Sequence, residues 1–456
     1  MKLSLNSCSI CLHCWSGRKA NCFAFRPSGA KEGRHSGNLP KRNTQYISQI
    51  AGVAELVYAI DSKSIPARVG GSSPLSGTMK KNLPLSYIEI SKKNLLYNIK
   101  QFRRILKKGT KIAGVIKANA YGHGDIEVVS ILASSVDYFQ VNSIEELERV
   151  RLYTKKPVLL LGYVGKNDIT KAVKLGCILT VFDLQHALII NEQVRRLNLI
   201  QKVHIAIDAH LGREGLRPEQ VAVFISEIKK MKNIKVDGVY AHFANIEDTS
   251  EFSYAEKQIK SYEIAVGLFK DSGYKNIKTH ISATSGVLAY EKWKGINNIV
   301  RVGVGLYGMW PSVELEKIWK KKIDLKPVLR FVTHIAQIKE LKTGESVGYG
   351  LSFIAQKNML IAVIPQGYSN GMVRLSSNNG EVLIHGKRAK ILGRVAMNMF
   401  VVDVTNIKGV KAEDEVVILG SQKSENITAE EIASKTQTIN YEVTTRLSPL
   451  LPKIIK

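Results

Sequence analysis

Short runs of apolar, β-rich residues recur between residues 112 and 301, separated by longer stretches with the period of an amphipathic helix. Eight of these runs predict strands, at 112–116, 138–141, 158–162, 178–182, 203–207, 236–241, 277–281 and 299–301. Helical patterns fall between them, as at 144–153, 218–231 and 253–272. Strand and helix alternating eight times predict a parallel (β/α)8 TIM barrel over residues 79–320. The rival is a doubly wound open sheet, and the want of an obvious switch point favours closure. After about residue 320 the pattern changes to short strands linked by Gly, Asn and Asp turns, at 346–352, 359–367, 381–386, 389–394, 399–404 and 415–419. No long helix follows until 429–435, so residues 321–456 predict a mostly antiparallel C-terminal β domain.

Composition adjusts this picture only slightly. The chain has 456 residues, 45% of them hydrophobic, with a formal net charge of +27. A charge of that size first suggests nucleic acid, but the lysines are scattered through polar stretches and no RNA- or DNA-binding motif frames them. No run of about 18 apolar residues occurs, so no membrane span is expected. Cys8, Cys11, Cys14 and Cys22 crowd the first residues and only Cys177 follows. This argues against a disulfide framework and fits a reducing, cytoplasmic setting. The early cluster lacks a second ligand pair at a plausible spacing, so no metal site is expected.

Residues 1–78 differ in kind, with little periodicity and ten Lys/Arg against three Asp/Glu. Polar residues interrupt any secretory h-region, and a basic transit peptide is one reading. A better one is that 51–59 and 66–74, with Gly71-Ser72-Ser73-Pro74, resemble the translation of a bacterial transfer-RNA gene. On that reading the native start is Met79 and residues 1–78 are spurious and disordered.

In a barrel of this class the reactive groups stand at the carboxyl ends of the strands. Those ends carry, in order, Lys117, Asp208 with Arg213, His242, His280 with Thr284, and Arg301 with Gly303. Lys117 stands where an apolar run gives way to a small-residue turn, and an amine there can form a Schiff base with a carbonyl compound. The glycines of Gly303-Val304-Gly305 leave backbone N–H groups open to a phosphate. A reactive lysine beside a phosphate site points to pyridoxal 5′-phosphate.

With these residues in place, the chain resembles the alanine racemases. The likeness is carried by Val-Ile-Lys-Ala-Asn-Ala-Tyr-Gly-His-Gly at 115–124, Val-Arg-Val-Gly-Val-Gly-Leu-Tyr-Gly at 300–308 and Ser-Val-Gly-Tyr-Gly at 346–350. Segments 367–371, 393–398 and 438–442 extend it in the family's order to the C-terminus. The resemblance implies a fold type III pyridoxal-phosphate enzyme that interconverts L- and D-alanine with two bases. Lys117 would hold the cofactor and serve one face, and Tyr349, reaching across a homodimer from the partner subunit, the other. His242 would assist Tyr349. Arg301, backed by His280, would face the pyridine nitrogen. Tyr121, Thr284, Gly303, Val304 and Tyr441 would contact the phosphate, and Arg213 with the Met397 backbone would hold the substrate carboxylate. The D-alanine produced would feed peptidoglycan synthesis.

The chain also departs from the pattern. Ala206 stands where many members carry a carbamylated lysine beside the substrate arginine, so another group has to take over that role. Ala283-Thr284 replaces Asn-Ser, Asn398 replaces an aspartate, and Leu450 and Lys453 replace arginines. Alternatives are a broader racemase acting on serine or another small amino acid, and a pyridoxal-dependent decarboxylase. The second would require a downstream Cys-Asp motif, and no cysteine follows Cys177. A cofactor carrier built on the barrel alone would not need a β domain bearing Tyr349.

Overall fold

The first strand of the protein, β1 (Tyr87–Ile90), precedes the barrel in the chain and does not belong to it. The structure, a computed structural model, describes residues 83–248, 250–290 and 297–456. The expectations for residues 1–78, including the cysteine cluster, lie outside the described residues. Among the described residues no helix is long and apolar enough to cross a membrane.

The barrel is one parallel eight-stranded sheet. Its strands are β2 (Lys111–Val115), β3 (Tyr138–Val141), β4 (Val158–Leu160), β5 (Ile178–Val181), β6 (Gln201–Ala206), β7 (Ile234–Tyr240), β8 (Lys278–His280) and β9 (Ile299–Val302). The spatial order is β8-β7-β6-β5-β4-β3-β2-β9. The two ends meet where the Arg301 N–H donates to the Ser282 carbonyl and the Asn298 N–H to that of Thr279, each at 3.0 Å. Strand positions alternate between two buried clusters. Ala113, Leu159, Ala206 and Tyr240 belong to one, and Ile112, Leu160, Ile205 and Val239 to the other, which extends under the surrounding helices. Most strand positions are therefore dry on both faces and read as apolar runs rather than as alternation, while polar residues such as Lys111, Lys202, Lys235 and Asp237 sit toward the strands' N-terminal ends.

The second sheet is mostly antiparallel, in the order β11-β14-β17-β16-β15-β18-β10-β1-β20. Here β10 is Leu329–His334, β11 Gln337–Leu341, β14 Met359–Ile364, β15 Glu381–Ile384, β16 Lys387–Leu392, β17 Phe400–Asp403, β18 Glu415–Gln422 and β20 Lys453–Ile455. A short hairpin, β12 (Ser346–Val347) with β13 (Phe353–Ile354), stands apart, and β19 (Glu425–Ile427) pairs with β18. Strands β1, β10, β11, β19 and β20 are not evident from the pattern. β1 pairs antiparallel with β10 and parallel with β20, so the chain enters through the second sheet before building the barrel. The strand expected at 346–352 stops at Val347, because Gly348, Gly350 and Leu351 take φ of +71°, +73° and +47°. Tyr349 thereby lies in a 3-10 turn.

Two devices join barrel and sheet. Asn98, fully buried on the helix Lys92–Ile105, donates to the carbonyls of Leu306 (2.9 Å) and Lys326 (2.8 Å) and accepts from the Lys326 N–H. Gly308 packs so tightly against the Lys326 carbonyl that a Cβ there would lie 1.9 Å from its oxygen.

Candidate active site

Lys117 follows β2 and opens an unusual turn. Ala118, Asn119, Ala120 and Tyr121 all have φ between +52° and +55°, four consecutive residues in the left-handed helical region. Such a conformation costs an L-residue about 1 kcal/mol or more, so packing has to impose it. One restraint is Glu146, the buried N3 residue of the capping box that starts the helix Ile144–Arg151. Its carboxylate accepts from the N–H groups of Ala118 (2.6 Å) and Asn142 (2.7 Å). Another is Gly122, where a Cβ would lie 1.9 Å from the Thr444 carbonyl oxygen. The turn holds the Lys117 amine half-buried at the rim. Desolvation, with help from the charges of Arg213 and Arg301, lowers its pKa, while Glu146 and Glu214 oppose the shift.

Arg301, on β9, is buried to 1% exposure. Its Nη1 donates to His280 Nδ1 (2.7 Å) and to the His280 carbonyl (2.8 Å), and its Nη2 donates to the carbonyls of Ala241 and Ile281. Because a guanidinium only donates, His280 Nδ1 has to be the acceptor, and the His280 proton sits on Nε2. That N–H points to His204 Nδ1 at 2.7 Å, and His204 Nε2 faces Asp237 at 3.5 Å, too long for a hydrogen bond. Burial pushes both histidines below the ordinary range, so the file is neutral up to Asp237, which pairs with Lys278 at 2.6 Å. His242 is likewise held neutral, chiefly by burial, and its Nδ1 accepts from Arg301 Nη2 at 3.2 Å. Burial brings Arg301 down to about 10, still charged at neutral pH. Its Nε–H is buried and has no partner among the described residues.

The loop after β6 folds back on itself. Asp208 Oδ1 accepts from the N–H groups of Leu211 and Gly212, and the Leu216 N–H returns to the Ala206 carbonyl at 2.9 Å. Gly215 (φ +121°) passes so close to the Asp208 backbone that a Cβ would meet its nitrogen at 2.8 Å. This loop carries Arg213 and Glu214, whose side chains form a two-pronged ion pair. Both line an open cleft of about 1090 Å³ together with Lys117, Asn142, Tyr163 and Phe182. Another cavity, of about 410 Å³, lies among Lys111, Tyr138 and Lys278, and none of the expected site residues lines it.

The glycine segment after β9 forms the 3-10 turn Val304–Tyr307. Thr284 Oγ1 accepts from the Gly303 N–H at 3.0 Å and lies 3.4 Å from that of Gly305. A Cβ on Gly303 would meet the Tyr121 hydroxyl at 2.7 Å, and the rings of Tyr121 and Tyr441 lie 6.1 Å apart. Burial raises the Tyr121 phenol to about 12 and also pushes up Tyr441, so both remain O–H donors.

This geometry has close counterparts. The family model for the N-terminal domain of alanine racemase matches residues 90–311, and that for its C-terminal domain matches residues 328–455. Alanine racemase 2 of Caldanaerobacter subterraneus subsp. tengcongensis is 36% identical over 370 residues, covering 80% of this chain and 94% of the relative. The chain belongs to the alanine racemase family. Among solved structures, the alanine racemase of Clostridium difficile 630 superimposes with a TM-score of 0.77 at 31% identity, covering 82% of this chain and 97% of that one. The alanine racemase of Bartonella henselae, described with covalently bound pyridoxal phosphate, shares the fold with a TM-score of 0.72 at 22% identity, over 82% of this chain and 100% of that one.

Alanine racemases are pyridoxal-phosphate-dependent isomerases, and the residues present here fit that cofactor. An amine with a lowered pKa stands at the rim, and a buried, unpaired Nε–H suits the acceptor nitrogen of a pyridine ring. Two phenols suit a phosphate, as does the Thr284 hydroxyl, which accepts from the Gly303 N–H and keeps its own proton to donate. Lys117 and Arg213 meet in one cleft, while Arg301, His280 and His242 form one bonded group. Tyr349 and Met397 stand apart, 74% and 56% exposed on the β domain, and neither lines the cleft. Pattern reading missed Glu146, His204 and Glu214. The adjacency of Glu214 to Arg213 was the only available signal for the last.

Proposed function

We propose that this alanine racemase family member interconverts L- and D-alanine, with pyridoxal 5′-phosphate on Lys117. It would do so as a cytosolic homodimer whose D-alanine supplies peptidoglycan synthesis. The observation that carries the reading is the unpaired, buried Nε–H of Arg301 behind the rim that holds Lys117. Pyridoxal phosphate, when bound, supplies an aldehyde for the amine and a conjugated ring that spreads the charge left when the α-proton departs. The remaining work falls to this chain. Arg301 would donate to the ring nitrogen and keep it unprotonated, which moderates the ring's electron-withdrawing power. Tyr121, Thr284, Tyr441 and the backbone at Gly303 and Val304 would hold the phosphate. Arg213 and the Met397 backbone would orient the substrate carboxylate. Lys117 would exchange the α-proton on one face and Tyr349, from the partner subunit, on the other. His242, with Nδ1 engaged by Arg301, keeps its Nε2–H, a donor suited to a phenol oxygen that has to give up its proton. In this division of labour the barrel would hold the cofactor with help from Tyr441 of the β domain, and the β domain would also bring Tyr349 and Met397.

The purified holoenzyme should convert either enantiomer of alanine into the other, followed by chiral product analysis on a panel that includes L-serine. Lys117→Ala should abolish both this activity and the visible absorbance of the bound cofactor. Racemisation that survives the substitution overturns the assignment.

A further inference from the structure

We infer that Glu214 is the positioning residue for Arg213: it grips one edge of the guanidinium so that the other edge stays turned to the substrate carboxylate. The inference rests on the reading above that Arg213 receives that carboxylate. A guanidinium can form paired hydrogen bonds along two edges, one made by Nε–H with a terminal N–H and one by the two terminal groups. Glu214 occupies the first, accepting from Nε and, at 2.8 Å, from Nη2. Nη1 has no hydrogen-bond partner among the described residues, so the terminal edge is open.

Nothing on the strand beneath can do the same work. Ala206 is buried and offers no polar side chain, and Tyr240, its partner across β6 and β7, has a buried hydroxyl that makes no hydrogen bond among the described residues. The pair is not there for stability. With side-chain exposures of 58% and 31%, an ion pair of this kind is screened by solvent and adds little to stability. Its value is directional, because a long, mobile side chain is fixed by a carboxylate that is itself anchored by the tight backbone at Gly215. Glu214 also partly offsets the cationic field that Arg213 exerts on Lys117. Had Glu214 taken the terminal edge, it would compete with substrate; on the Nε edge it aims the fork.

The test compares the wild-type holoenzyme with Glu214→Gln and Glu214→Asp. Glu214→Gln should raise KM for L-alanine about tenfold with kcat within about twofold, the pattern of lost ground-state orientation. Titration with [1-13C]propionate, a carboxylate without the amine, followed by 13C NMR, should show a matching loss of affinity. Glu214→Asp should recover part of both, with the midpoint of thermal unfolding unmoved in either variant. An unchanged KM and propionate affinity overturns the inference. A tighter one also overturns it and makes Glu214 a competitor for the seat. Should the wild type fail to racemise alanine, the functional reading falls, while the propionate titration still decides the role of Glu214.

Discussion

At Lys117, burial and the fields of Arg213 and Arg301 act in one direction, drawing the amine below the ordinary 10.5 so that more of it is neutral and nucleophilic near neutrality. The sign gives a direct check. The rate at which the cofactor-free protein captures pyridoxal phosphate should inflect, as pH rises, below the pH at which a free lysine does. Arg213→Ala removes a nearby cation and should move that inflection upward; an inflection that stays put or falls would contradict the electrostatic account. Lys117 and Arg301 are legible as candidate site residues from their place at strand ends. Their bonding is not. That Arg301 spends both terminal nitrogens on His280, His242 and carbonyls, leaving Nε free, depends on groups far apart in the chain.

Among the elements, the turn after β2 separates what pattern can and cannot tell. Ala118-Asn119-Ala120 contains good helix formers, and nothing local marks it as left-handed. Glu146 and the backbone at Thr444 impose that hand from outside. An alanine-to-glycine change in an ordinary helix costs about 1 kcal/mol. At Ala118, exposed and with φ of +53°, it should instead leave stability unchanged or raise it by up to about 1 kcal/mol, because glycine does not carry the left-handed strain. Chemical denaturation measures this, and a loss of about 1 kcal/mol or more would show that the turn is not strained. The barrel strands were legible because most of their positions are buried on both faces and because they alternate with helical stretches. β1 and β20 were not, since they stand outside the strand–helix alternation, at the two ends of the described chain, and β1 pairs with β10 and β20 only in the folded molecule.

For the whole molecule, exposed Tyr349 and Met397 gain their proposed roles only if a second copy brings them to the barrel rim. If so, Lys117→Ala and Tyr349→Phe disable different halves of a shared site. Mixed and allowed to exchange subunits, the two inactive proteins should recover about a quarter of wild-type activity, since half the dimers are then mixed and each has one intact site. Absence of recovery despite demonstrated exchange would place Tyr349 and Lys117 of one subunit in the same site.

The order of apolar runs was enough to determine the barrel and the mostly antiparallel β domain, and the small set of polar residues at the strand ends to single out Lys117 as the candidate reactive group. These are local properties, since dry strands need continuous apolar residues and a reactive group has to stand where a strand meets solvent. Tertiary structure alone decided how the arginines are held. Arg301 is fixed by His280 on β8 and by His242 just beyond β7, and Arg213 by a carboxylate whose loop is pinned against Ala206. Hydrogen bonds of this kind depend on angles and distances between segments, which the order of residues along one strand does not encode.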